Sequence, residues 1–104
     1  MKIAVTYENG QVFQHFGHTE QFKIYEAAEG KVVSARVVET GGSGHGALAG
    51  FLRGLGVDTL ICGGIGGGAR SALAEAGIQL YPGASGSADA QVEALLAGSL
   101  AYDP

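Results

Sequence analysis

The segment His15-Phe16-Gly17-His18 puts two imidazoles three positions apart, just after a hairpin-like stretch and beside a glycine. Imidazole is a first-choice ligand for zinc, copper, iron and nickel, and thiolate favours soft ions and metal–sulfur centres. His15, His18, His45 and Cys62 are therefore the whole inventory of strong soft ligands in the chain. A second segment, Cys62-Gly63-Gly64-Ile65-Gly66-Gly67-Gly68-Ala69, follows a buried-looking strand and leads into a helical pattern, where α/β proteins usually bind ligands. The two segments are expected to form opposite walls of one pocket.

Each feature also has a plainer reading. A histidine beside glycine in a surface loop is what an ordinary solvated turn contains, and cysteine is commonly a small buried hydrophobe. Glycines after a strand can simply let the chain turn and the helix approach the sheet; alternatively, their bare N–H groups at a helix N-terminus face an anion, with Arg70 beside them. The cluster is not a P-loop, because no Gly-Lys-Ser or Gly-Lys-Thr follows, and it comes too late for a dinucleotide fingerprint. A closed structural zinc site is disfavoured without Cys-x-x-Cys pairs, so any metal site is expected to be open or completed by an inorganic ligand. Hydrolytic chemistry has little support. Gly83-Ala84-Ser85-Gly86-Ser87 is no nucleophile elbow, and Glu8, Glu20, Glu26, Glu29 and Glu39 show no paired spacing for a general acid and base.

The elements that must position these groups can be read from period and turn residues. Lys2 to Tyr7 is β-prone, Asn9-Gly10 is a turn, and Gln11-Val12-Phe13 can pair back. Phe22 to Tyr25, the turn Glu29-Gly30, and Val32 to Val38 make a second hairpin in which Val33, Ala35 and Val37 share a face. Leu48, Phe51, Leu52 and Leu55 form the apolar stripe of a helix over about 45 to 55, stopped by Gly56. Thr59 to Cys62 is an unbroken apolar run, as in a strand covered on both faces. It is followed by a helix carrying Ala69, Ala72, Leu73 and Ala76, and by a strand over Ile78 to Tyr81. Ser87 can cap a last helix with Val92, Leu95 and Leu96. Two hairpins followed by α, β, α, β, α predict an α/β fold: a mixed sheet with N-terminal antiparallel hairpins, parallel C-terminal strands and three helices on both faces.

With 104 residues the chain fits one domain, 1–104, and no internal repeat is visible. Its 19 glycines sit at element ends and in local clusters between aliphatic stretches, so the chain is not of low complexity. Six Lys and Arg against ten Asp and Glu leave a net charge of −4 with the basic residues scattered, so no nucleic acid partner is expected. No apolar run approaches the ~20 residues that span a bilayer, so no integral membrane protein is expected. A single cysteine and an early polar N-terminus point to a cytoplasmic protein.

Taken together, the Lys-Ile-Ala-Val strand, the His15-Phe16-Gly17-His18 loop followed by Phe22-Lys23-Ile24-Tyr25, Gly44-His45-Gly46, and Ile61 to Ala69 with Gly77-Ile78 behind it resemble the dinitrogenase iron-molybdenum cofactor biosynthesis family. The resemblance runs from Met1 to about Leu100. It implies a ribonuclease H-like fold with a mixed five-stranded sheet, lacking the carboxylate cluster of true ribonucleases. It also implies a carrier without turnover of its own, one that binds an iron–sulfur or molybdenum-containing metal–sulfur cluster and passes it between donor and acceptor proteins as a monomer or weak homodimer. Carried over residue by residue, His15 becomes the candidate ligand, with Phe16 and Gly17 shaping its loop and His18 serving the charge of an anionic cluster. His45 and the loop containing Gly64, Gly66, Gly67 and Gly68 complete the pocket, with His45 and Cys62 as further candidate metal ligands. Two other readings stay open. One is a regulatory or interaction module that binds a small anion at the glycine loop; the other is a ribonuclease H-like hydrolase, which would need an acidic triad on the sheet.

Overall fold

A computed structural model describes residues 1–41 and 45–104, the side chains of residues 45 and 46 excepted. The central strand β1 (Lys2–Glu8) buries Ile3, Ala4, Val5 and Thr6 completely, so both of its faces are covered. β2 (Gln11–Val12) folds back on it through Asn9 and Gly10, whose φ values of 49° and 82° are the left-handed pair that a tight two-residue hairpin turn needs. β3 (Gln21–Ala28) pairs antiparallel with β1, and β4 (Lys31–Glu39) antiparallel with β3. α1 (His45–Gly54) leads to β5 (Thr59–Ile61), parallel to β1. α2 (Gly67–Glu75) leads to β6 (Gln79–Tyr81), parallel to β5, and α3 (Ala88–Leu96) follows. The strand order is β4-β3-β1-β5-β6, with β2 beside β1, so the expected five-stranded mixed sheet gains a sixth strand of two residues.

The helices divide between the faces. Leu48, Ala49 and Leu52 of α1 and Leu73 of α2 pack with Ala4, Phe22, Ile24 and Leu60 on one side. Ala88 and Val92 of α3 pack with Ile3, Val5, Tyr25 and Ile61 on the other. The Ser87 hydroxyl accepts a hydrogen bond from the Ala90 amide at 3.2 Å, capping α3 as its sequence implies. Asp89 in the first turn of α3 ties that helix to the sheet through Lys23 at 2.8 Å and the Tyr25 hydroxyl at 2.5 Å. Both donors hold its carboxyl below the usual aspartate range.

β4 refines the strand reading. Val33, Ala35 and Val37 are all exposed, whereas Val32 and Val38 are half-buried against opposite core clusters. A two-residue period would send Val32 and Val38 to one face. A register shift opposite Glu26 and Ala27 inserts an extra residue and turns Val32 over to the α3 side. No described helix is long and apolar enough to cross a membrane.

Candidate functional site

After β2 the chain runs along the end of β5. The Gly64 amide donates to the Gln14 carbonyl at 2.8 Å and the Phe16 amide to the Gly64 carbonyl at 3.1 Å, a short parallel bridge centred on His15 and Gly64. One turn of 3-10 helix follows over Phe16–His18, closed by the His18 amide on the His15 carbonyl at 2.9 Å. Phe16 is the buried residue of this turn. Its ring lies 6.3 Å from that of Phe22, which stacks on Phe51 at 6.2 Å. Anchoring the middle of the turn leaves His15 and His18 exposed on either side of it, with Phe13 set edge-on to the His15 ring at 6.0 Å.

The opposite wall is Gly64-Ile65-Gly66 and the first turns of α2. Between the walls lies a cleft of about 600 Å³, lined by His15, Phe16, Gly17 and His18 on one side and by Gly64, Ile65, Gly66, Gly68, Ala69 and Ala72 on the other. That volume falls within the range of small-molecule sites, and the cleft opens at the carboxyl end of the parallel strands, where open α/β sheets bind ligands. Gly67 is not among the lining residues, and the side chain of His45, at the start of α1, lies outside the described residues.

The glycines of this wall divide by physical cause. A Cβ on Gly63 would fall 2.7 Å from the Gln14 Cα, so packing demands glycine there, and one on Gly64 would fall 3.0 Å from the Gln14 carbonyl oxygen, a tight contact that favours glycine. At Gly66, Gly67 and Gly68 a Cβ would meet nothing within 4 Å, and none of the three has the positive φ that favours glycine. Neither conformation nor packing in the free protein asks for glycine there. The first amides of α2 have no partner within the helix, and Gly66 at the cap position has no side chain to offer one.

Cys62, two residues before Gly64, is fully buried in the core cluster that holds Leu60 and Leu73, outside the cleft lining. Burial pushes its thiol up to about 12, with the Arg70 charge only partly offsetting the rise. A thiol in that state is inert. We expect it to resist iodoacetamide in the native protein at about pH 8.5, where an ordinary thiol is half ionised, and to react fully once the chain is unfolded. Rapid native labelling, read by intact mass, would contradict this burial.

Among the described residues no three His, Cys, Asp or Glu side chains gather where they could hold a metal ion. The acidic triad that a ribonuclease H-like hydrolase requires does not assemble among them either. Two features of the site escaped the sequence reading. Ala72, at the helical apolar spacing of α2 and beyond the glycine segment, packs against the core and also lines the cleft. Gln14 belongs to no motif, and it joins the two walls.

A family model described as dinitrogenase iron-molybdenum cofactor matches residues 1–98. The chain is 40% identical over 87 residues to the FeMo cofactor biosynthesis protein NifB of Sinorhizobium fredii; the match takes in 76% of this chain but only 18% of NifB. It is 32% identical over 105 residues to an uncharacterized protein of Methanocaldococcus jannaschii, covering 96% of this chain and 89% of that one. Among solved structures, the apo form of the orange protein from Desulfovibrio gigas superposes with a TM-score of 0.84 at 29% identity, covering 98% of this chain and 92% of that one.

Proposed function

Since the chain belongs to the dinitrogenase iron-molybdenum cofactor family, we propose that it is a small carrier that holds an iron–sulfur or molybdenum-containing metal–sulfur cluster in the cleft and passes it from a donor to an acceptor protein. The observation that carries this reading is the pair Gly66 and Gly68 in the cleft wall, where nothing in the free protein requires glycine. Bare backbone at the start of a helix lets a bulky inorganic cargo approach the amides closely. Thiometallate clusters are anionic, and those amides together with the helix dipole favour negative charge even on a chain of net charge −4. His15 supplies an exposed imidazole to the same cleft and His18 a second one. A cargo held through so few side chains can be released, as transfer requires. His45 opens α1 and is a third candidate; buried Cys62 is left without a part.

The test is anaerobic titration of the tag-free protein with iron–sulfur and thiomolybdate species, followed by desalting, visible absorption and metal analysis. The wild type is expected to retain a stoichiometric chromophore, and His15→Ala, with an unchanged circular dichroism spectrum, to lose it. No retention by the folded wild type, or full retention by the variant, would overturn the reading. A second reading rests on the uncapped amides of α2: a regulatory module that binds a small anion. Stabilisation by phosphate that ignores His15→Ala would favour it.

A further inference from the structure

Gln14 makes contacts out of proportion to its place in a loop. Both hydrogens of its side-chain amide are spent on backbone carbonyls, that of Val12 and that of Ala84, each at 3.1 Å. Its own carbonyl takes the Gly64 amide at 2.8 Å. The Ala84 amide in turn donates to the Cys62 carbonyl at 3.0 Å and the Gly83 amide to the Gly63 carbonyl at 2.9 Å. Three chain segments, 12–16, 62–64 and 83–84, thus meet at one residue, the first and last through its side chain and the second through its backbone carbonyl. Gly63 is part of the same arrangement, because any Cβ there would strike both the Gln14 Cα and its side-chain amide.

From this junction the two walls of the cleft diverge, His15 to His18 on one side and Gly64 to Ala69 on the other. Resting on the carrier reading above, we propose that Gln14 is the positioning residue of the cleft: it touches no cargo, and it fixes the distance between the imidazole wall and the bare amides of α2. Glutamine suits the task because it offers two N–H donors at the end of a reach that spans both carbonyls. Glutamate of the same shape offers none when ionised and sets a negative charge against two carbonyl oxygens. Groups that orient a binding residue without touching the bound species typically matter about ten-fold or more in affinity.

The experiment compares Gln14→Glu with Ser87→Ala, which removes the cap of α3 on the far face of the sheet and serves as a destabilised control. In the cargo-free proteins, amide hydrogen exchange at Gly64 and Phe16 is expected to quicken about ten-fold in Gln14→Glu and to stay at the wild-type rate in Ser87→Ala. With thiomolybdate as probe, well below the melting temperature of each variant, Gln14→Glu is expected to bind about ten-fold more weakly and Ser87→Ala as the wild type does. Unchanged exchange at Gly64 and Phe16 would overturn the clasp itself. Faster exchange with undiminished binding would overturn its role in positioning the walls. Equal losses of binding in both variants would reduce Gln14 to ordinary stability, which also overturns the proposal. The exchange measurement needs no cargo, so a wild type that retains no thiomolybdate refutes the carrier reading while the clasp is judged on its own data.

Discussion

Replacing Gly68 by alanine is expected to stabilise the cargo-free protein by ~0.4–1 kcal/mol while weakening its hold on cargo. The two effects have separate causes. Gly68 is a helical residue of α2 with no positive φ, and a Cβ built on it meets no atom within 4 Å, so the substitution costs nothing in the folded state. It also removes conformational freedom from the unfolded chain and favours the helix. The same methyl group projects from a residue that lines the cleft, where on the proposed carrier role it would stand between cargo and backbone amides. Gly68→Val should deepen the loss by presenting more bulk. Gly67→Ala is the matched control: it is helical and unobstructed in the same way, yet it does not line the cleft, so it should gain stability and keep its binding. Urea unfolding and retention of thiomolybdate after desalting measure the two effects independently. Wild-type binding by both Gly68 variants would mean that the glycines do not serve the cargo.

Phe16→Ala should produce the largest stability loss among residues that line the cleft, about 3–5 kcal/mol by the usual cost of emptying an aromatic site. Phe16 is 2% exposed and stands at one end of the ring series Phe16, Phe22, Phe51 that joins the cleft to α1. Against a total of ~5–15 kcal/mol for a domain of ordinary stability, that is a large fraction. The urea midpoint should fall with the slope unchanged if the variant remains two-state. Binding should fall with it, because Phe16 is the buried residue of the turn whose flanks are His15 and His18. Phe16→Leu, which keeps an apolar anchor, should recover most of both. A midpoint close to wild type in Phe16→Ala would show that the turn is held by its backbone bonds to Gly64 rather than by the ring.

The site was legible in the sequence to the extent that residue type alone announces it. Two histidines astride a glycine and a glycine run after an apolar strand are conspicuous, and both segments do face one cleft. The contribution of Gln14 was not legible, because a polar residue in a loop gives no sign of bonding to a carbonyl 70 positions away. Nor could the glycines be sorted. Gly63 is required by the approach of Gln14 and Gly64 is crowded by it, whereas Gly66 to Gly68 are not required by anything in the free chain, and the letters are the same.

What the sequence determined by itself was the kind and order of the elements, because helix and strand periods, the Asn9-Gly10 and Glu29-Gly30 turns and the Ser87 cap act over a few residues. Only the tertiary structure decided the faces. The extra residue in β4 sent Val32 and Val38 to opposite cores, a consequence of pairing with β3 rather than of composition. Likewise Thr59 to Cys62 is apolar at nearly every position, as a strand covered on both sides must be, so no alternation marks which residue looks toward the cleft. Packing in the cluster with Leu60 and Leu73 turned Cys62 into the core, and hydrogen bonds exchanged between Gly64 and the Gln14–Phe16 segment brought the imidazoles to the glycine wall.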